Sequence, residues 1–259
     1  MALSPSEIDD LKLAKRLLEK PGFAARISKV VGAPIEKGFE MLPGKWSATV
    51  NQAARKSIET AFDVALRTMG HNRPVPPANR WHKLAAGTTG AIGGAFGLPA
   101  LAIELPVSTT IILRSIADIA RSQGENLHAP EARLQCIQVL ALGGESKNDD
   151  EAETAYFAAR AAMAQAVSNA AAYLTKRGLS DKSAPAIVRF IAQIAARFSI
   201  VVSEKLAAQA VPIVGALGGA AINTMFIDHF QDTGKGHFIV RRLERHHDPL
   251  EIRRIYEQL

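Results

Sequence analysis

Apolar positions recur at helical spacing along most of the chain, and the breaks between them carry helix punctuation. Ser4-Pro5-Ser6-Glu7 is a start signal for a helix running to about Lys20 and stopped by Pro21-Gly22. An amphipathic stretch follows from Phe23 to Met41 and ends at Leu42-Pro43-Gly44. Ser47 is placed to cap a third helix with Val50, Ala54, Ile58, Ala61, Phe62 and Ala65 on one face, ended by Gly70. His71 to Asn79 holds Pro74, Pro76 and Pro77 and reads as a loop. Pro130 to Leu142, Asp149 to Arg177 and Pro185 to Ala210 read as helices. Gly236 precedes a basic helix, His237 to His247, and Asp248-Pro249 opens a last one ending at Leu259. Ile200–Val202 and Val211–Val214 are too short for strands and sit inside helical patterns. The pattern predicts an all-α fold: a single multi-helix bundle of about nine to eleven helices, with an N-terminal helical extension over 1–44 and the main helical domain over 45–259.

Two stretches break the amphipathic rule. Leu84–Ile103 and Leu206–Ile227 carry no charge and are each about as long as a membrane-crossing helix. Gly, Ala and Thr dominate them rather than Leu, Ile, Val and Phe. Gly90/Gly94, Gly93/Gly97 and Gly215/Gly219 are small-xxx-small pairs that let another helix approach closely. The expectation is two glycine-rich apolar helices at the centre of the bundle, with shallow membrane insertion and true spanning as alternatives.

Composition sharpens this in three ways. The chain has 259 residues with 44 alanines, about one in six, which favours helix. Cys136 is the one cysteine, so an internal disulfide is excluded. The net charge of +6 suits an anionic partner, but with only 6% aromatic residues a nucleic-acid stacking platform lacks its parts. Met1 to Lys20 has no long apolar core of a secretory signal, so the expected location is the cytoplasm, or the inner face of the cytoplasmic membrane.

Candidate chemistry lies on two polar stripes. Pro106 lacks an N–H and Pro99 interrupts the chain, so a helix should begin near Glu104. On it Glu104, Ser108, Ser115, Asp118 and Ser122 cluster, with Arg114 beside them as an i,i+4 partner for Asp118. This is either a solvated face or a polar seam between central helices. Glu104, a lone charge among thirty residues, should be buried and held by backbone N–H groups or by an Arg or Lys from Asn223–Arg245. On the second stripe Thr224, Asp228 and Gln231 share a face. Asn223 would align with His237, Arg241 and Glu244 if the helix ran unbroken, which Gly234 and Gly236 argue against. His229 adds an imidazole. No His-Glu-x-x-His and no i,i+4 histidine pair occurs, so neither a metal site nor a cofactor is expected. Cys136 on an apolar face reads as a buried structural thiol.

Long runs also resemble a known family. Phe96-Gly97-Leu98-Pro99-Ala100-Leu101-Ala102-Ile103-Glu104-Leu105-Pro106-Val107-Ser108-Thr109-Thr110 is similar to a signature of the EcsC family. So are the run from Leu113 to Glu125, Leu140-Ala141-Leu142-Gly143-Gly144, and Pro212 onward through Asn223, Phe226, Asp228-His229-Phe230-Gln231, His237-Phe238 and Arg241-Arg242-Leu243-Glu244-Arg245. These runs cover roughly 45–259. The resemblance implies a bacterial, cytoplasmic or membrane-associated protein from a family named for a neighbour of an ABC transporter, and it supplies no catalytic set. With the charge balance and the apolar segments, it implies a non-enzymatic, membrane-peripheral accessory protein. Its expected partners are an anionic membrane surface or lipid, or an ABC transporter component. The alternative is a hydrolase in which the two polar stripes converge on one cleft.

Overall fold

A computed structural model describes residues 3–32, 34–69, 98–144, 155–178, 183–211 and 219–259. Ten helices and no strand occur among them: α1 (Pro5–Leu18), α2 (Phe23–Val31), α3 (Glu36–Glu40), α4 (Trp46–Thr68), α5 (Leu98–Ser122), α6 (Pro130–Leu142), α7 (Ala155–Arg177), α8 (Pro185–Ala210), α9 (Gly219–His246) and α10 (Pro249–Gln258). The loop at His71–Asn79, the pairs Gly90/Gly94 and Gly93/Gly97, and Gly215 lie outside the described residues.

Local signals account for most ends. Ser4 and Glu7 form the reciprocal capping box, and Asp248 accepts from the Leu250 N–H at 3.0 Å. The stretch from Phe23 to Met41 is two helices, because Gly32 turns left-handed at φ 70°. α4 starts one residue before Ser47 and has no side-chain cap.

Three expectations are corrected. α5 does not begin near Glu104; it runs from Leu98 with Pro106 inside it. Proline there deprives the Ala102 carbonyl of its partner, and Ala102 is exposed, so water can replace the lost bond. Leu206–Ile227 is not one helix. α8 ends at Ala210, Val211 is extended, and α9 starts at Gly219. α9 in turn passes unbroken through Gly234 and Gly236. At Gly236 a Cβ would sit 2.6 Å from Leu18 Cγ and 3.1 Å from the Ala14 carbonyl oxygen, so the missing side chain admits α1 rather than ending the helix.

α9 organises the bundle, touching α1, α2, α5, α6, α8 and α10, while α4 lies across α5 and α8. The main core is continuous from Phe23 of α2 to Phe238 of α9. A smaller core joins Leu11 and Ala14 of α1, Tyr156 and Phe157 of α7, Leu243 of α9, and Ile252 and Tyr256 of α10. α6 is buried nearly all round, and the carbonyls at its C-terminal end are met by side chains from elsewhere. Arg197 donates to Ala141 at 3.1 Å and to Gly144 at 2.9 Å, and His229 Nε2 lies 2.6 Å from the Gly143 oxygen.

Gly234 and Gly236 sit two residues apart and should respond oppositely. A Cβ on Gly234 meets only ordinary contacts, 3.4 Å from Ile116. Gly234→Ala should leave the melting temperature unchanged or raise it by the helix propensity, about 0.5–1 kcal/mol. Gly236→Ala should lower it, since overpacking costs about 1–3 kcal/mol. Paired thermal melts check this; equal shifts would refute the reading of Gly236.

Candidate functional site

A lysine carries the most demanding chemistry in the interior. Lys205 lies five residues before the end of α8, on the face that holds Phe198, Val201 and Val202, and is 1% exposed. Helical periodicity makes that face the core face, so the ammonium is carried inward with its neighbours. It donates to Glu104 Oε1 at 2.5 Å and to Asn223 Oδ1 at 2.8 Å, and stands 4.8 Å above the Phe226 ring. Burial pulls the ammonium below the usual lysine range, and the Glu104 carboxylate opposes that pull. One positive and one negative charge thus meet in a pocket with no net charge, the arrangement that makes burial tolerable.

Glu104 is buried and held by a cation, as expected. The cation is Lys205 of α8, not an Arg or Lys of Asn223–Arg245; that region supplies the neutral acceptor Asn223 instead. Since α5 begins at Leu98, Glu104 does not face the free N–H groups of a helix start. The stripe above it is a seam at its buried positions. Ser108 donates to the Glu104 carbonyl at 3.0 Å, and Gln231 of α9 donates to Ser115 Oγ at 2.6 Å. Farther along, the stripe approaches the surface. Asp118 takes Arg121 at 2.6 Å, and Arg114 is exposed.

The unbroken α9 places His237, Arg241 and Glu244 on the Asn223 side, but fourteen residues of helix put His237 roughly 20 Å from Asn223. There a second buried network forms. Tyr156 donates to His237 Nδ1 at 2.9 Å, and His237 Nε2 donates to Gln135 Oε1 at 3.1 Å. Arg160 clamps Glu244 with two bonds of 2.7 and 2.6 Å, and Glu125 accepts from Arg241 at 2.8 Å and Arg245 at 2.5 Å. Burial drives the His237 imidazole well below its usual range, and the Arg160 and Arg241 charges push the same way. It therefore stays neutral, as its role as acceptor from Tyr156 requires.

His229 is held down to about 4, chiefly by burial, and serves the Gly143 carbonyl. Asp228, beside it on α9, is half-buried. Cys136 is fully buried and its thiol is pushed up by burial, then by nearby Glu125. The convergence of stripes that hydrolysis would need is not formed by these residues: Glu104 holds Lys205, while His229 and His237 bond a carbonyl, a tyrosine and an amide. Among the described residues no group of three or more His, Cys, Asp or Glu side chains is placed to hold a metal ion. Sequence reasoning missed Lys205, Gln135, Tyr156, Arg160 and Glu125. For Lys205 the signal existed, because it stands three, four and seven residues after Val202, Val201 and Phe198.

Removing one member of the Lys205–Glu104 pair leaves a buried charge unpaired, worth about 3–5 kcal/mol, against about 0–1 kcal/mol for an exposed pair such as Arg55–Glu59. Lys205→Met and Glu104→Gln should each lower the melting temperature strongly, and the double variant should lose less than either. A double variant losing the sum would show that the two side chains act independently.

Acid should reach the histidines first. His229 and His237 are neutral in the fold but take a proton near pH 6.5 once unfolded, so unfolding gains protons as pH falls from about 6.5 towards 4. Stability should decline across that window, and His229→Gln, which keeps a donor for Gly143, should flatten the decline. Melts at half-unit pH steps measure it; an unchanged slope would remove His229 from the account.

No curated protein and no solved structure matches the chain. A family model does, that of the EcsC protein family, over residues 6–243. The match takes in Lys205 with Glu104 and Asn223, and His237 with Tyr156 and Gln135; Glu244 and Arg245 lie just past it. It also begins well before residue 45, so it includes α1, whose Asp10 holds Arg242 of α9 at 2.6 Å and whose cap residue Glu7 meets His247 at 2.8 Å. The chain belongs to the EcsC protein family.

Proposed function

We propose that this EcsC-family chain is a membrane-peripheral accessory protein whose described helices form a scaffold and whose one end meets an anionic lipid surface. The supporting observation is where apolar surface is left uncovered. Ile103 is 76% and Val107 44% exposed, one turn apart on α5. Both are close in sequence to Glu104, whose bond to Lys205 brings the start of α5 against the end of α8; Asn223 adds the start of α9. Gly38 of α3 packs on Ala207 of α8, and Met41, just after α3, is 53% exposed. Three of the seven large hydrophobic side chains exposed among the described residues therefore gather at one end of the bundle.

That same end leads into both uncharged stretches of the sequence. Residues 84–97 adjoin α5 and residues 212–218 lie between α8 and α9. A protein of net charge +6 is drawn to anionic headgroups, and an apolar end gains by entering the interface behind them. Among the described residues α8 is the one helix long and apolar enough to cross a membrane, and half of its most apolar stretch is buried. It is accounted for by the core, which supports peripheral contact over spanning. A membrane-protein partner at the inner face, such as a transporter component, fits the same placement.

Flotation with vesicles tests the reading. Binding should require anionic lipid and weaken with salt, since each Lys or Arg near the surface contributes about 1 kcal/mol of screened attraction. Ile103→Glu with Val107→Glu should abolish flotation while the thermal melt stays put, because both side chains are already exposed. Binding to neutral vesicles that the double variant does not affect would refute it.

A further inference from the structure

α5 packs against α4, α6 and α9, yet its first half keeps one side open. Ile103 and Val107 are exposed, Pro106, Thr110 and Ile111 half-buried, and Arg114 exposed. At 100° per residue the five later positions all fall within about 80° of Ile103, so they form one stripe three turns long. Thr110 donates its hydroxyl to the Pro106 carbonyl at 2.8 Å, which leaves the stripe free of unbonded side-chain polar groups until its end. That end is a guanidinium ~16 Å along the axis from Ile103. Between Leu98 and Arg114 the one other charge on α5 is Glu104, turned inward to Lys205. Asp118, one turn past Arg114, is engaged by Arg121 at 2.6 Å, and Arg114 makes no ion pair among the described residues.

We infer that this stripe of α5 is the element that enters the lipid interface, and that Arg114 binds a lipid phosphate at its rim; the inference rests on the membrane reading above and adds the orientation of the helix and the group that holds the headgroup. An exposed guanidinium at the border of an apolar strip is placed as a phosphate ligand should be, since it offers a planar fork of donors to the phosphate oxygens while the apolar side chains pass below it. The strip carries no carboxylate that would repel the headgroup, because Glu104 faces the core.

Size and backbone chemistry favour lipid over a protein and set the depth. A strip ~16 Å long and one helix wide, ~10 Å, offers ~160 Å², well short of the ~800 Å² that each partner gives to a specific protein interface. A membrane makes no such demand, because attachment grows with apolar area and with attraction to anionic headgroups and needs no matching shape. Pro106 leaves the Ala102 carbonyl without its helical donor, and Ala102 is exposed. In hydrocarbon that carbonyl would find no partner, so the strip stays in the hydrated interface. With Arg114 at the phosphates and α5 inclined by ~30° to the surface, Ile103 lies ~8 Å deeper, within the ~5–10 Å reached by interfacial helices.

Nitroxide labelling of the full chain on vesicles of phosphatidylglycerol and phosphatidylcholine tests both parts. Cys136 is fully buried, so labels go to the introduced thiols of Ile103→Cys, Val107→Cys and Arg114→Cys, with Gln165→Cys on α7 as the reference. On vesicles the labels at 103 and 107 should become accessible to oxygen and shielded from a water-soluble nickel complex. The label at 114 should read shallower than both, and the label at 165 should not change. Arg114→Gln should weaken vesicle binding about fivefold, the effect of one surface cation, with the thermal melt unchanged. Arg114→Lys, which keeps the charge, and Arg254→Gln, on α10, should stay within about twofold of wild type. Labels at 103 and 107 that remain in water on bound protein, a label at 103 that reaches the bilayer midplane, or full binding by Arg114→Gln each overturn the inference and leave the membrane reading standing. A wild-type chain that does not bind these vesicles overturns both.

Discussion

A lysine ammonium cannot lie bare in an apolar interior, and most of the arrangement at one end of this protein follows from that constraint. Lys205 is inside because its helix face is inside. Once there it needs an opposite charge and further acceptors within hydrogen-bond reach. Glu104 supplies the charge from α5 and Asn223 an acceptor from α9, with the Phe226 ring beneath. Three helices far apart in sequence are thus held in register by one side chain. An apolar trio could fill the same volume with similar stability, but it would tolerate sliding of α5 along α8, which a charged pair at 2.5 Å does not.

Farther along α8 and α9 a different problem is solved with the same means. A buried helix that stops short leaves carbonyls without partners, and α6 is buried almost everywhere. Arg197 and His229 reach its last carbonyls from α8 and α9, so the termination of one helix depends on two others. The buried His237 network and the Glu125 pairings continue this pattern towards α10. Polar groups in the interior serve as connectors between elements, and the apolar side chains fill the volume between the connectors.

The helical class, most helix ends and the burial of Glu104 were legible in the sequence because they rest on local signals: capping residues, proline and glycine punctuation, and one charge in an apolar run. What was hidden depends on tertiary contact. Pro106 reads as a helix start, yet it is tolerated inside α5, where Ala102, the residue that loses its hydrogen-bond donor, is exposed. Gly236 reads as a break, yet α1 needs that space. Both glycine and proline mark a missing group, and sequence alone does not tell whether the absence serves a turn or a neighbour. Lys205 is hidden because it stands just before an uncharged run, and only the helical face it shares with Phe198, Val201 and Val202 shows that it is carried inward. Arg160 and Tyr156 offered no local sign at all; their partners are about eighty residues away.

The seat of α1 has a consequence in time. This helix is ready to form as soon as it is made, with its capping box complete within four residues. Its docking surface is the end of α9 together with α10, and Asp10 waits for Arg242 across 232 residues. At translation speeds of about 5–20 residues per second, roughly ten to fifty seconds separate the two. For that interval the apolar stripe of Leu11, Ala14 and Leu18 is uncovered on the nascent chain, and it is the kind of short segment that chaperones hold. The small core cannot close until α9 and α10 have been made, so α1 is secured long after its own residues are in place.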